Sequence, residues 1–189
     1  MNPYWNHFKT VMKHKWYVFQ LMYRAGYPIQ GLLHDLSKLS PTEFIPSARY
    51  WSGVRSPIDA EKAEKGYSIA WQHHKGHNPH HPEYWIDQVM TIGEEPVALL
   101  MPKRYAIELI CDWIAAGRAY EPYWTTDSPL AWFEAVGSKR RIHPAILSFV
   151  EEVFQEIKRS KSLRVINEWE LSGLYHKHTS GQKMDRENE

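Results

Sequence analysis

Apolar residues recur every three or four positions along most of this chain, and no segment convincingly alternates apolar and polar residues over the length of a strand. Such spacing places apolar side chains on one side of an α-helix. The first segment begins at the capping residue Asn2, stops at Gly26, and carries the apolar residues Trp5, Phe8, Met12, Trp16 and Phe19. The pattern predicts an all-α fold, a single helical bundle of seven to eight helices.

Proline and glycine predict where the other helices begin and end, because proline suits the first turn of a helix and glycine its end. Ser40 and Glu43 form a capping-box pattern around Pro41. The further helices are expected near residues 28–38, 40–50, 56–74, 83–90, 102–117, 128–133 and 144–159. At 189 residues we expect one domain over residues 1–160 and a partly flexible C-terminal tail over 161–189, tethered by Trp169 and Tyr175.

Composition and charge exclude several classes of protein. The net charge of +1 offers no broad basic surface for nucleic-acid backbones, so such binding is not expected. No apolar stretch reaches the roughly 18 residues of a membrane-spanning helix, and no secretion signal opens the sequence. We therefore expect a cytoplasmic protein without membrane contacts. The single cysteine, Cys111, lies in an apolar run and is predicted to pack in the core rather than to act as a nucleophile.

Histidine is the unusual component, with eleven in the chain and five of them between residues 73 and 81. Imidazole and carboxylate together suit borderline divalent ions, and the candidates are Mn, Fe, Zn, Co, Ni and Mg. Asp112 is conspicuous because an ionised carboxylate in an apolar helix is costly unless it is paired or bound to a metal. A pairing with Arg118, or an outward position beside Glu108, is the alternative. Four places offer ligands: His14, His34–Asp35, Asp112, and the tract containing His73, His74, His77, His80 and His81.

The order histidine, His34–Asp35, histidine tract and Asp112, each placed on a helix, resembles the HD superfamily of metal-dependent phosphohydrolases. The tract from His34 to Lys38 is similar to that superfamily's His-Asp-x-x-Lys form. Together with residues 40–44 and 55–59, the arrangement resembles a small bacterial and phage family of unknown function near the HD proteins. The resemblance covers about residues 5–160 and implies an HD-like bundle holding one or two ions. It implies that Lys38 lies near a substrate phosphate.

The resemblance implies a phosphomonoesterase or phosphodiesterase that acts on a small phosphoester, in particular a nucleotide, through metal-activated water. Metal ligands are expected at His14, His34, Asp35, His73, His74, His81 and Asp112. Catalytic roles are expected for Lys38, His74 and His80, the histidines as general acids if they do not bind the second ion. Two alternatives stay open: a di-iron oxygenase of the HD type, and a non-catalytic binding module. A homo-oligomer is compatible with the sequence.

Residues beyond this set are weaker candidates for substrate contacts. A guanidinium or ammonium group binds phosphate through charge-assisted hydrogen bonds, but a solvated surface role competes at each position. The cationic candidates are Arg49, Arg55, Lys75 and Arg104. Aromatic rings could stack on a base, although their helical spacing favours core packing. The aromatic candidates are Trp51, Trp71, Tyr84 and Trp85.

Overall fold

The computed structural model describes residues 2–88, 90, 93–121 and 123–181. It confirms an all-α protein, with nine α-helices in these residues and a minimal sheet. The helices are α1 (Pro3–Arg24), α2 (Pro28–Leu33), α3 (Pro41–Arg49), α4 (Pro57–Lys65), α5 (Ile69–His77), α6 (Lys103–Tyr120), α7 (Ser128–Ala135), α8 (Pro144–Ser160) and α9 (Glu168–Thr179). Short 3-10 turns cover Leu36–Leu39, Pro82–Trp85 and Gly137–Lys139.

Most of the predicted helix starts are confirmed. The side chain of Asn2 accepts a hydrogen bond from the Tyr4 amide at 2.9 Å and caps α1. Proline occupies the first turn of α2, α3, α4 and α8, where its missing N–H costs no intrahelical hydrogen bond. The capping box at Ser40 is wrong, because the Ser40 side chain makes no capping hydrogen bond and Glu43 instead binds histidines of α5.

Three helix boundaries differ from prediction. The helix expected through Lys38 ends at Leu33, because His34 is extended and Asp35 has a left-handed backbone with φ of 54°. The helix expected from Ser56 to His74 is interrupted at Gly66, whose φ of 79° suits glycine, and the chain continues as α4 and α5. The helix expected near residues 83–90 is a 3-10 turn and strand β1 (Ile86–Asp87), while residue 89 lies outside the described residues.

Strand β1 pairs antiparallel with β2 (Val97–Ala98), with Ile86 opposite Ala98 and Asp87 opposite Val97. The core lies elsewhere, between α1, α6, α7, α8 and α9. Helix α6 is its centre, with an almost fully buried run from Ala106 to Asp112. Cys111 is buried within this run, as expected for a packing residue. Among the described residues, no helix combines the length and apolar character needed to cross a membrane.

The C-terminal segment forms a helix that packs on α8 and α6. Its Tyr175 is buried and donates a hydrogen bond to the Met101 carbonyl at 2.8 Å, whereas Trp169 is exposed. Residues 182–189 of the predicted flexible tail lie outside the described residues.

Candidate metal centre

Four ligand atoms from three distant parts of the chain meet in the interior. Helix α1 supplies His14, the break after α2 supplies His34 and Asp35, and α6 supplies Asp112. The Nε2 atom of His14 lies 3.1 Å from Asp112 Oδ1 and 3.3 Å from His34 Nε2, which lies 3.1 Å from Asp35 Oδ2. We call this set, in which each side chain is at least nine-tenths buried, the first ligand group.

A second ligand group forms around the other oxygen of Asp35. Its further members are His74 at the buried side of α5 and His80 and His81 in the loop that follows. Asp35 Oδ1 lies 3.4 Å from His74 Nε2 and 3.5 Å from His80 Nε2, and the Nε2 atoms of His74 and His81 are 2.8 Å apart. Asp35 therefore belongs to both groups, with one carboxylate oxygen facing each.

Both groups fit a divalent metal ion. Ligand atoms bonded to such an ion at about 2.0–2.2 Å lie roughly 3.0–3.6 Å from one another, and most of the distances within the groups fall in this range. Asp35 Oδ1 and His80 Nε2 are buried without a hydrogen-bond partner among the described residues. An unpaired buried polar atom costs free energy, and an ion between these two atoms would remove that cost.

The break between α2 and the 3-10 turn makes this convergence possible. A left-handed residue is tolerated by aspartate better than by most side chains. The change of backbone direction turns His34 and Asp35 toward the first ligand group rather than along a continued helix. Lys15 stabilises the end of α2, because its buried ammonium donates to the carbonyl of His34.

Two buried glutamates that the sequence did not single out orient the histidines. Glu108 Oε1 accepts a hydrogen bond from His34 Nδ1 at 2.8 Å and lies 3.4 Å from His80 Nδ1. Glu43 Oε2 accepts from His74 Nδ1 at 2.8 Å. A hydrogen bond at Nδ1 fixes the tautomer that leaves Nε2 free for a metal. One sequence signal could have identified Glu108. It lies four residues before Asp112, a spacing that places both carboxylates on one side of α6.

The charges at this site stabilise one another. Burial opposes ionisation of Asp112, but hydrogen bonds from His14 and His34 outweigh it and hold the pKa of that carboxyl well below its usual value. Burial likewise opposes the charge of Glu108, but the hydrogen bonds with His34 and His80 lower its pKa to about 2. The carboxylates are therefore ionised at neutral pH, as metal ligands and their hydrogen-bond acceptors need to be.

The alternative positions for Asp112 are wrong. Its carboxylate is buried and faces His14, so it does not point outward, and Glu108 beside it is buried as well. The guanidinium of Arg118 instead stacks on the rings of Tyr17 and Trp124, at 4.6 Å and 5.3 Å from their centroids.

Lys38 contacts the shared carboxylate directly. It lies on the 3-10 turn rather than on the predicted helix, and its Nζ is 2.6 Å from Asp35 Oδ2. Burial opposes its charge, but Asp35 and Asp112 outweigh that effect and raise the pKa of the ammonium above its usual value. Lys38 thus brings a lasting positive charge to the first ligand group.

Of the predicted ligands, His73 alone is not brought to either group. Its Nδ1 lies 2.6 Å from Glu43 Oε1, and its ring stacks on His77 with centroids 3.9 Å apart. The side chains of the two adjacent histidines lie on different sides of α5. That of His74 is buried, and that of His73 is partly exposed. His80, predicted to be catalytic, occupies a ligand position in the second group.

A cavity of about 410 Å³ opens onto both groups, with His14, His74, His81 and Asp112 in its lining. Of the predicted phosphate contacts only Arg55 and Lys38 line it, and Arg49, Lys75 and Arg104 are not in its described lining. Lys62 and Arg140, which the sequence did not indicate, contribute two further cations. The aromatic part of the lining consists of Trp71, Trp113, Tyr120, Trp124 and Trp132, while Trp51, Tyr84 and Trp85 are not part of it.

Comparison with known proteins gives one family. No curated protein and no solved structure matches the chain. Residues 3–156 match the family described as "Family of unknown function (DUF5662)". The match includes every residue of both ligand groups and both orienting glutamates, and the resemblance to the HD superfamily stays a prediction. Because the match covers most of its length, this chain belongs to the DUF5662 family.

Proposed function

We propose that this protein is a metal-dependent phosphohydrolase that acts on a small phosphoester, with a nucleotide as its preferred substrate. The observation that carries the proposal is the position of Asp35, whose two oxygens face two separate ligand groups beneath one cavity. A shared carboxylate between two histidine-rich groups is an arrangement suited to a pair of divalent ions.

His14, His34, Asp35 and Asp112 would hold one ion, and Asp35, His74, His80 and His81 would hold the other. When bound, such ions supply Lewis acidity, which makes water a stronger nucleophile near neutral pH and offsets charge on a phosphoryl group. Because His74 and His80 face Asp35 Oδ1, we assign them to holding the ion rather than to the general-acid role.

The protein's own cations would bind the phosphate. Lys38 lines the cavity beside Asp35, and the raised pKa of its ammonium keeps it charged at neutral pH. A charge-assisted hydrogen bond from Lys38 to a phosphoryl oxygen would orient the substrate against the ligand groups. Arg55 and Lys62 in the lining would meet more distant oxygens, and Arg140, whose guanidinium pairs with Glu83 at 2.9 Å, would contribute less.

The remaining lining favours a flat group on the substrate. Trp71 lies in the wall, and the ammonium of Lys62 sits 4.6 Å from the centroid of its ring. Aromatic walls stack on bases, and a cavity of about 410 Å³ lies in the usual range for small-molecule sites. These features support a single nucleotide rather than a polymer.

The test combines metal analysis with phosphate release. The purified protein is expected to bind up to two ions per chain and, with Mn²⁺, to release phosphate or a phosphomonoester from members of a nucleotide panel. Asp35→Asn should lower metal binding and turnover by more than about 100-fold. Asparagine tolerates the left-handed backbone at this position, so the variant removes charge without adding backbone strain.

A matched control is His77→Ala, since His77 lies in the same histidine tract but is exposed and belongs to neither ligand group. It should keep full metal content and turnover. Full metal content in Asp35→Asn would remove the basis of the proposal.

A second candidate is a di-iron oxygenase, because two histidine and carboxylate groups that share Asp35 also suit a pair of iron ions. Tightly bound iron, substrate-dependent oxygen uptake and no phosphate release would favour it. Absence of turnover with every substrate, despite bound metal, would favour a binding module.

A further inference from the structure

Helix α1 exposes a straight stripe of large apolar side chains on its outer side. Trp5, Met12, Trp16 and Tyr23 fall within about 40° of one another around the helix axis at 100° per residue. They are 59%, 42%, 56% and 65% exposed. Phe8 and Phe19 border the stripe, and their rings stack on Trp5 and Trp16 with centroids 5.6 Å and 5.7 Å apart.

This stripe has no part in the core or in the candidate metal centre. The buried side of α1 carries His7, His14, Val18 and Leu21 and points the opposite way. Packing in the core therefore explains the apolar residues on one side of α1 only, and those of the stripe need another explanation. Aromatic residues and methionine are enriched at protein interfaces, and a full-length apolar stripe on a 22-residue helix is unusual for a surface that faces water.

Helix α2, which packs against α1, also exposes large apolar side chains. The two helices touch closely at Gly31, where an added Cβ would meet Met22 Cβ at 2.6 Å and Phe19 Cα at 3.3 Å. Beyond this contact, α2 and the following 3-10 turn expose further large apolar side chains, namely Ile29, Leu32, Leu33, Leu36 and Leu39. The α1 stripe and these neighbours together are called the apolar face below.

We propose that the apolar face is the interface with a second copy of this chain, with the two α1 helices antiparallel. A twofold interface is self-complementary, so each residue pair must occur twice with the copies exchanged. The stripe meets this condition if the twofold axis passes level with position 14 of α1. Trp5 and Tyr23 lie nine residues on either side of it and Met12 and Trp16 lie two, so antiparallel α1 helices place Trp5 against Tyr23 and Met12 against Trp16.

The size of the apolar face also agrees. With roughly 150–250 Å² for each aromatic side chain and somewhat less for each aliphatic one, its exposed fractions leave on the order of 800 Å² of accessible apolar surface. A stable interface of standard size buries about 800 Å² per partner, whereas the largest apolar patch on a typical monomer is about 300–600 Å². A second copy is therefore an occupant of the right size.

The first experiment measures molar mass by sedimentation equilibrium. The full chain should have twice the 22.3 kDa of a single copy. Trp16→Glu should weaken association by about 100-fold or more, because the dimer would bury two unpaired carboxylates. Val136→Glu is the matched control, since Val136 is 44% exposed at the end of α7, a helix that packs on α6 and α8, and it should remain dimeric. Far-UV circular dichroism and metal content should be unchanged in both variants.

The second experiment fixes the direction of the helices. Positions 5 and 23 of one chain are about 27 Å apart along α1, too far for an internal disulfide. Oxidation of the double variant Trp5→Cys, Tyr23→Cys should therefore give covalent dimers, whereas Trp5→Cys alone should give none. Cys111 is buried and does not compete.

Several results would overturn the proposal. They are a wild-type protein that is monomeric at all concentrations, a dimer that survives Trp16→Glu, and efficient cross-linking by Trp5→Cys alone. A monomer that binds anionic phospholipid vesicles through Trp5 and Trp16 would show that the apolar face meets a lipid surface instead.

Discussion

Glu108 connects the two ligand groups although it need not bind metal itself. Its Oε1 accepts from Nδ1 of His34, a member of the first group, and lies 3.4 Å from Nδ1 of His80, a member of the second. Glu43 contacts the second group only, through His74. Because acceptors of this kind orient histidine ligands and raise their basicity, the two glutamates should affect the two ions differently.

We predict that Glu43→Gln weakens binding of the second ion by about 10–100-fold and leaves the first nearly unchanged, whereas Glu108→Gln weakens both. Competition titration of Mn²⁺ against a chelator would measure the two affinities. Glu156→Gln is the control, because among the described residues Glu156 pairs only with Arg159, at the surface. Equal loss of both ions in Glu43→Gln would show that the two groups are not separate sites.

At this scale the sequence predicted which side chains meet better than how they are oriented. The pattern of His14, His34, Asp35 and Asp112 predicted a set that the fold brings together, since buried carboxylates among apolar residues need partners. Glu43 was missed because its spacing from Ser40 is also that of a capping box. His73 and His74 could not be told apart, because only the orientation of α5 in the tertiary fold decides which one is buried.

At the scale of elements, the contact between α1 and α2 positions two residues of the candidate centre. Helix α2 leads directly into His34 and Asp35, so a shift of α2 should move both side chains. We predict that Gly31→Ala destabilises the protein by about 1–3 kcal/mol, because the new Cβ would lie 2.6 Å from Met22 Cβ. It should also weaken metal binding, as α2 moves away from α1. Urea unfolding and Mn²⁺ titration would measure both effects.

The control for Gly31→Ala is Gly76→Ala, inside α5. An added Cβ there would meet no atom within 4 Å among the described residues, so alanine should leave the stability unchanged or raise it by up to about 1 kcal/mol. Equal stability of the two variants would contradict the importance of the close contact between α1 and α2.

Helix starts were predictable from sequence because proline and capping residues act locally, as at Pro3, Pro28 and Pro144. The break at His34 and Asp35 was not predictable in this way. Its cause is largely tertiary. The Lys15 ammonium of α1 binds the His34 carbonyl, His14 of α1 faces Asp35 and Glu108 of α6 binds His34, whereas Lys38 is the one nearby partner of Asp35 among these contacts. Local propensity contains no information about those contacts.

At the scale of the whole molecule, a polar composition concealed the role of the last helix. Residues after Ser160 are rich in charge, which predicted a partly flexible tail, yet α9 places Leu171 and Tyr175 in the same core as α6 and α8. Three buried residues in twelve, of which only Leu171 and Tyr175 are apolar, give little periodic signal, so sequence pattern alone could suggest a tether at Tyr175 but not a helix.

The stability of the entire fold should therefore depend on Tyr175. Its ring packs edge-on against Phe149 with centroids 5.6 Å apart, and its hydroxyl donates a hydrogen bond to the Met101 carbonyl just before α6, the helix that carries Glu108 and Asp112.

We predict that Tyr175→Ala lowers the free energy of unfolding by about 3–5 kcal/mol, and Tyr175→Phe by about 1–3 kcal/mol through the unsatisfied carbonyl. Trp169→Ala, at an exposed position on the same helix, should stay within about 0.5 kcal/mol. Urea unfolding followed by circular dichroism would measure these values, and one shared transition is expected because α9 and the helices of the candidate metal centre share a core. If Tyr175→Ala left the main transition unchanged and melted only a small helical fraction, α9 would be a separate unit, and the candidate metal centre would not depend on it.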